Sequence, residues 1–224
     1  MSHHEGDIVQ AWEANAAAWA DLIAANGIES RRLATDQAVV DTVLSGAPAT
    51  ALDVGCGEGW LARRLSAAGA RVLGVDAIPA LIETARRLGG AEYDVCSYAD
   101  IAAGALTARG PFDAVVCNFA LLGDTSVREL LAAVPSLLTP TGRLVVQTLH
   151  PVIAAGDTPY VDGWRDGLCA GCGAAFTQPA PWYFRTLGGW VRLLHQSGLR
   201  LVDCREPLHP ATGRPVSILF VCQA

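Results

Sequence analysis

Residues 53–59 read Asp-Val-Gly-Cys-Gly-Glu-Gly, three glycines at alternate positions behind an apolar run, with an acid two residues ahead of the first. An apolar strand that turns through glycines into a helix offers backbone N–H groups, and the positive end of a helix dipole, to a ligand at the carboxyl edge of a sheet. A dinucleotide site needs the spacing G-x-G-x-x-G. Counted from Gly55 and Gly57, its third place is held by Trp60, so that fingerprint fails. Asp53 could attract an ammonium group, while the loop amides around Gly55, Cys56 and Gly57 suit a carboxylate. An amino-acid moiety meets both demands and a pyrophosphate does not. Asp76, which closes the next apolar run in "VLGVDAIP", is placed to accept two ribose hydroxyls. The two acids and the spacing together point to S-adenosylmethionine; the plainer alternative is a tight strand-to-helix turn with no ligand.

His150, in "QTLHP", ends a later apolar run and would share that edge, where it could serve as a general base or simply cap its strand. His209 and His195 lie in a terminal hairpin and a late helix, where structural roles are expected. Cys169 and Cys172 form a C-x-x-C pair, but zinc needs two further ligands at matching spacing and no second pair exists, so no metal is expected. Residues 151–185 carry Tyr160, Trp164, Phe176, Trp182, Tyr183, Phe184 and Arg185, an aromatic set suited to a flat or apolar acceptor or to a satellite core. From it Trp164, Trp182, Tyr183 and Arg185 are the candidate substrate contacts. Arg185 could bind an acidic group or cap a helix.

Composition removes other chemistries. All 16 basic residues are Arg, which excludes a lysine Schiff base and the lysine of a P-loop. A net charge of -6 without a basic cluster argues against nucleic acid and for a small-molecule partner. Seven scattered cysteines read as reduced thiols. With no run long enough to span a membrane and no basic, apolar leader at the N-terminus, the expected location is the cytoplasm.

The elements that must position these residues alternate from residue 49 onward. Strand-like "TALDV", "ARVLGVD", "AEYDVC", "FDAVVCNFA" and "GRLVVQTLH" are separated mostly by helical patterns such as "WLARRLSAAG" and "VRELLAAVPSLL". That order predicts an α/β doubly wound sheet, and strands apolar along their whole length imply helices on both faces. The tail "LRLVDCREP…PVSILFVCQ" predicts a closing hairpin with an antiparallel last strand, for seven strands in all. Ahead of the sheet, residues 1–45 predict a helical cap. Its Trp12 and Trp19 share a face that either packs on the core or covers the ligand, and Ser30 is the expected N-cap of its second helix. Residues 151–185 lack periodicity and read as a lid-like insertion in a single domain spanning 1–224.

At this point the chain resembles the class I S-adenosylmethionine-dependent methyltransferases, in the broad group with small-molecule substrates that includes quinone-biosynthesis enzymes. "LDVGCGEGW", "GVDAIPALIETAR", "FDAVVCNFALL" and "LLTPTGRLVVQTLHP" carry the likeness, which covers roughly residues 30–224. It implies the Rossmann-like methyltransferase fold, with Gly55, Cys56 and Gly57 lining the methionine part, Asp76 the ribose and Ala77 or Ile78 the adenine. It adds Cys96, Ser97 and Tyr98 as adenine-side candidates, although the acid usual directly after the third strand is missing. Asn118 and Phe119 would sit near the sulfonium. The expected reaction is methyl transfer to a small molecule, on oxygen or carbon. The alternatives are transfer of another group from the same donor, a non-catalytic cofactor-binding protein and, least of all, a nicotinamide oxidoreductase.

Overall fold

Thr50–Val54 (β1) is an uninterrupted buried run whose neighbours are strands on both sides, and this central position fixes the rest of the architecture. The computed structural model describes residues 5–168 and 176–224. From β1 the chain passes through α3 (Trp60–Ala67) to β2 (Arg71–Asp76), then through α4 (Pro79–Leu88) to β3 (Glu92–Val95), moving outward along one half of the sheet. After α5 (Tyr98–Ala102), β4 (Phe112–Asn118) returns to the other side of β1. It is followed by α6 (Thr125–Leu137) and β5 (Leu138–Thr148). The order is β3-β2-β1-β4-β5-β9-β8, with β8 (Arg200–Arg205) and β9 (Ile218–Gln223) forming the closing hairpin. The first five strands in this order pair in parallel and β9 is antiparallel to both its neighbours, as the sequence predicts. The crossovers diverge between β1 and β4, and in an open α/β sheet that switch point opens a crevice beyond the strand ends.

Two apolar layers explain why the strand runs do not alternate. Leu52, Val54, Val115 and Cys117 face α6 and α8 (Leu187–Gln196), while Ala51, Val116 and Leu219 face α2 (Asp36–Leu44) and α3. Each fully buried Leu or Val contributes about 1.5–3 kcal/mol, so the centre of the sheet is the rigid base on which the edge loops stand. The first helix, α1 (Glu5–Ala24), packs outside these layers through Ala16, Trp12 and Trp19 onto Ile78 and Leu81 at the start of α4.

Two local expectations are corrected. Ser30 does not cap a helix: it has helical dihedrals and no capping bond, because residues 31–35 form a π-helical turn that runs straight into α2. The insertion is not an irregular loop either. It opens with α7 (Pro151–Ala155) and folds into its own two-stranded sheet, β6 (Gly163–Leu168) and β7 (Ala180–Phe184). The consecutive aromatics of "PWYF" hid the strand period, since both faces of β7 carry rings: Tyr183 pairs with Trp164, and Trp182 and Phe184 point the other way. The Cys169–Cys172 pair lies outside the described residues. Among those described, no helix is long and apolar enough to cross a membrane.

Candidate active site

The glycine loop stands at the switch point, between the end of β1 and the start of α3. Gly55 has φ +73°, and a Cβ on it would lie 2.4 Å from the Ala120 Cβ, so backbone from the β1 and β4 exits meets here at a distance that only glycine permits. Gly59 is held to the same rule by Tyr93, whose ring would be 2.6 Å from an added Cβ. The expectation that the first amides of the loop would hold a carboxylate is corrected by their hydrogen bonds. Gly55 and Cys56 N–H both donate to the Val75 carbonyl, at 2.8 and 3.0 Å, and Gly57 N–H donates to Asp76 Oδ2 at 2.9 Å. These donors tie the loop to β2 instead. Asp76 also accepts from Ile78 N–H at 2.9 Å, and the Ala77 N–H adds to this set of backbone donors, so its carboxylate is fixed in place.

Three carboxyl groups crowd this loop. Asp53 is 1% exposed, and burial, reinforced by the nearby charges of Glu58 and Asp76, pushes its pKa up to about 8. Burial likewise raises Glu58, with Arg63 at 3.2 Å and Arg31 pulling the other way. It raises Asp76 as well, against the pull of the backbone donors just described. Asp53 Oδ2 and Glu58 Oε2 are buried without hydrogen-bond partners among the described residues. Buried acceptors of this kind are destabilising unless a donor meets them, so the arrangement suits a cationic ligand and opposes a pyrophosphate.

Across the switch point, Tyr98 donates its hydroxyl to the Ala120 carbonyl at 2.9 Å, which pins the loop after β4; burial holds its phenol well above the usual range. Asn118 Oδ1 is buried without a partner among the described residues, and Phe119 adopts φ +52°, a conformation that a bulky residue rarely takes and that costs about 1–3 kcal/mol. Its N–H donates to the Gln147 carbonyl at 2.8 Å, so the strain is held by β5. Ser97 is spent locally: its hydroxyl and N–H close a capping box with Asp100 at the start of α5. Ala77 is half-buried, while Ile78 is buried beneath α1. His150 starts α7 and lies 2.7 Å, through Nε2, from Glu206 Oε1.

Sequence reasoning missed most of what covers this edge. A Cβ on Gly57 would sit 3.4 Å from Trp19 Nε1, so the tryptophan face of α1 that packs on Ile78 and Leu81 also lies against the loop. Arg31 stacks 4.6 Å from the Trp60 ring centre and 5.9 Å from that of Trp19, and its Nε bonds Asp36. At one end of α1, Glu5 accepts the N–H groups of Asp124, Thr125 and Ser126 at the N-terminus of α6. In its middle, Asn15 bonds Gln178 O and Thr177 N–H of the insertion. A carboxylate at a helix N-terminus contributes about 0.5–2 kcal/mol. Glu5→Ala is therefore expected to speed amide hydrogen exchange in α1 by roughly 3- to 30-fold; unchanged exchange would show that the anchor is idle.

The insertion places its four candidates unequally. Arg185 is 4% exposed and donates to the carbonyls of Gly123 and Asp124 and to the Asp124 carboxylate, so its guanidinium locks β7 to the α6 N-terminus rather than facing a ligand. Tyr183 N–H donates to Leu122 O at 2.7 Å, which joins β7 to the loop after β4. Its ring stacks edge-on to Trp164 at 5.5 Å. Trp182 turns to the other face, towards Arg165 and Phe184.

Residues 51–142 match a family described as a methyltransferase domain. A ubiquinone biosynthesis O-methyltransferase of Xylella fastidiosa is 37% identical over 117 residues, 50% of this chain and 46% of that protein. The chain thus spans about half the length of the curated relatives it matches. An S-adenosylmethionine dependent methyltransferase from Mesorhizobium loti has the same fold, with TM-score 0.62 and 22% identity over 84% of this chain and 96% of that one. A 1,6-didemethyltoxoflavin-N1-methyltransferase from Burkholderia thailandensis, solved with 1,6-didemethyltoxoflavin and S-adenosylhomocysteine bound, gives TM-score 0.63 at 19% identity over 93% and 86%. Residues 51–142 thus resemble the methyltransferase-domain family, and the sheet has the fold of solved S-adenosylmethionine-dependent methyltransferases.

Proposed function

We propose that the chain moves a methyl group from S-adenosylmethionine to a small, flat, hydroxyl-bearing acceptor in the cytoplasm. The observation that carries the reading is the buried acid cluster of Asp53, Glu58 and Asp76 around the glycine loop, two of whose oxygens lack partners. S-adenosylmethionine brings an ammonium and a sulfonium to such a site, whereas a nicotinamide dinucleotide brings two negative phosphates. In this reading Asp53 takes the ammonium, Asp76 the ribose hydroxyls, and Ala77 and Ile78 the adenine. With the loop amides engaged inside the protein, Arg31 at the rim is the cation for the carboxylate. Asn118 and Phe119 face the sulfonium, which a ring can stabilise by about 0.5–2 kcal/mol.

The bound donor supplies an electrophilic methyl group. The protein's own task is to align the acceptor with it and exclude water, and placement of that kind is worth about 7–11 kcal/mol. The covering helix α1 and the aromatic β6–β7 hairpin, tied together through Asn15, are the elements that would close the site. Transfer to oxygen follows the likeness to ubiquinone-biosynthesis O-methyltransferases, and Trp164 and Tyr183 give the hairpin a surface for a planar acceptor.

Calorimetric titration tests the reading: S-adenosylmethionine should bind at micromolar or lower concentration and NAD should not. Asp76→Ala removes two hydrogen bonds to a charged acceptor, about 1.5–3 kcal/mol each, and should weaken S-adenosylmethionine binding by 100-fold or more with the circular dichroism unchanged. Unaltered affinity would refute the ribose role. S-adenosylhomocysteine as product would support methyl transfer, and methylthioadenosine would refute it.

A further inference from the structure

We infer that His150 and Glu206 form a proton-accepting pair in which Glu206 acts as a positioning residue, fixing the imidazole proton on Nε2 so that Nδ1 can take a hydroxyl proton from the acceptor. The inference rests on the methyl-transfer reading above and assigns a role to a residue outside the methyltransferase-domain match. Its basis is the asymmetry of the two ring nitrogens. Nε2 lies 2.7 Å from Glu206 Oε1, and an ionised carboxylate only accepts, so the nitrogen facing it must carry hydrogen. In the neutral ring the lone pair then sits on Nδ1. That atom is buried without a partner among the described residues, on a side chain 8% exposed, whereas the Glu206 side chain is 56% exposed. A histidine kept only for structure would have both nitrogens satisfied; this one keeps a buried acceptor open.

The surroundings place that acceptor on the methyl-donor edge. Gln147, three residues earlier, is in register with Asn118 on β4, the residue next to strained Phe119. Gln147 Nε2 donates to Ser217 Oγ at 2.9 Å, which staples the end of β5 to the start of β9 and so closes the connection that carries Glu206. Bridging between Leu208 and Pro215 and the bond from Val216 N–H to Pro207 O hold that connection as a folded hairpin arm. Gln147 Oε1 and Asn118 Oδ1 are also buried without donors among the described residues. These acceptors belong to residues at the carboxyl ends of β4 and β5, and a hydroxylated ligand at that edge would bring donors to it.

The proton balance closes within this set. The acceptor's O–H bond breaks and its proton passes to Nδ1. The oxygen electron pair forms the bond to the methyl carbon, and the pair of the broken C–S bond stays with sulfur. The imidazolium so formed is neutralised by the Glu206 carboxylate and returns its proton to water after the product leaves. Glu206 touches neither donor nor acceptor; it sets the tautomer and the charge of the residue that does.

The test begins without turnover. In the full chain saturated with S-adenosylhomocysteine and labelled with ¹⁵N-histidine, His150 should resonate as the Nε2–H tautomer, its signal identified by loss in His150→Asn. Glu206→Ala should convert it to a tautomeric mixture, and Glu206→Asp should restore it in part. An Nδ1–H signal in the parent, or an unchanged signal in Glu206→Ala, overturns the pairing. As an acceptor probe, 4-nitrocatechol should bind to the same complex as the phenolate, at a pH below its own pKa. Glu206→Ala should lose about 10- to 100-fold of that phenolate population. Binding of the neutral phenol, or no binding, would also overturn the proposal. Affinity for S-adenosylhomocysteine should be equal in parent and Glu206→Ala; failure of the parent to bind it at all would instead refute the methyl-transfer reading.

Discussion

Asp53→Asn should give a chain that resists denaturation better than the parent at alkaline pH and yet holds S-adenosylmethionine about 10- to 1,000-fold more weakly, the range expected when one partner of a desolvated charge pair is removed. The stability half follows from linkage. Burial pushes the folded-state pKa of Asp53 up to about 8 from the ordinary aspartate value of 3.8. Between those values the folded chain keeps a proton that the unfolded chain has released. More protons bound when folded means that stability falls as pH rises across this window, and above about 8 the chain carries a buried carboxylate whose Oδ2 has no partner among the described residues. Asn is neutral throughout and can still accept the backbone hydrogen bond from Ala62, so the pH-dependent loss due to this residue disappears. Thermal unfolding of the two proteins should agree below about pH 4 and diverge up to about pH 8, with the variant higher and the difference constant beyond that. Identical curves would mean that Asp53 is already ionised and paired in the free protein.

The binding half has a second signature. Below pH 8 the free protein holds Asp53 largely protonated, so pairing it with a ligand ammonium must expel that proton. Calorimetry in buffers of different ionisation enthalpy should therefore show proton release on binding to the parent and none for Asp53→Asn. Affinity should rise with pH up to about 8, as the carboxylate becomes available without that cost. In the proposed reading the acid cluster is an unfavourable feature of the fold that a cationic ligand would relieve.

The sheet was readable in the sequence because its information is local. Each strand run and each intervening helix is a contiguous segment with its own period, and the failed dinucleotide spacing at Trp60 is visible in eight residues. What closes the edge is not local. Glu5 meets the α6 N-terminus 119 to 121 positions away, Asn15 reaches the insertion across 162 and 163, and His150 finds Glu206 across 56. None of these residues belongs to a pattern, so nothing short of the packed structure brings them together. The loop amides mark a different limit. Their number and direction follow from the turn, but that they are spent on Val75 and Asp76 depends on the close approach of β2. Arg185 repeats the point: an arginine in an aromatic segment suggests a ligand contact, and only the fold reveals the carbonyls of Gly123 and Asp124 waiting for it.

Gly55→Ala should destabilise the protein by about 2–5 kcal/mol, the sum of a left-handed conformation forced on an L-residue, about 1–2, and an overpacked contact, about 1–3. The added Cβ would lie 2.4 Å from the Ala120 Cβ and 3.3 Å from Tyr98 Oη. Neither neighbour can yield cheaply. Ala120 is tied through its carbonyl to Tyr98, and the preceding Phe119 is already at φ +52° with its N–H committed to Gln147. For a chain of this length the midpoint of thermal unfolding should drop by roughly 5–20 °C. The double variant Gly55→Ala/Ala120→Gly separates the causes, since it removes the contact and leaves φ +73° in place. Recovery of about 1–3 kcal/mol would show that the β1 and β4 exits must touch at this point. No recovery would assign the whole cost to the turn, and a neutral Gly55→Ala would contradict the close approach itself. Because Asp53 and Asn118 stand two residues before these two contact points, any outward shift of the loops should also separate the two sides of the proposed donor site. S-adenosylmethionine affinity in the two variants should then track the recovered stability.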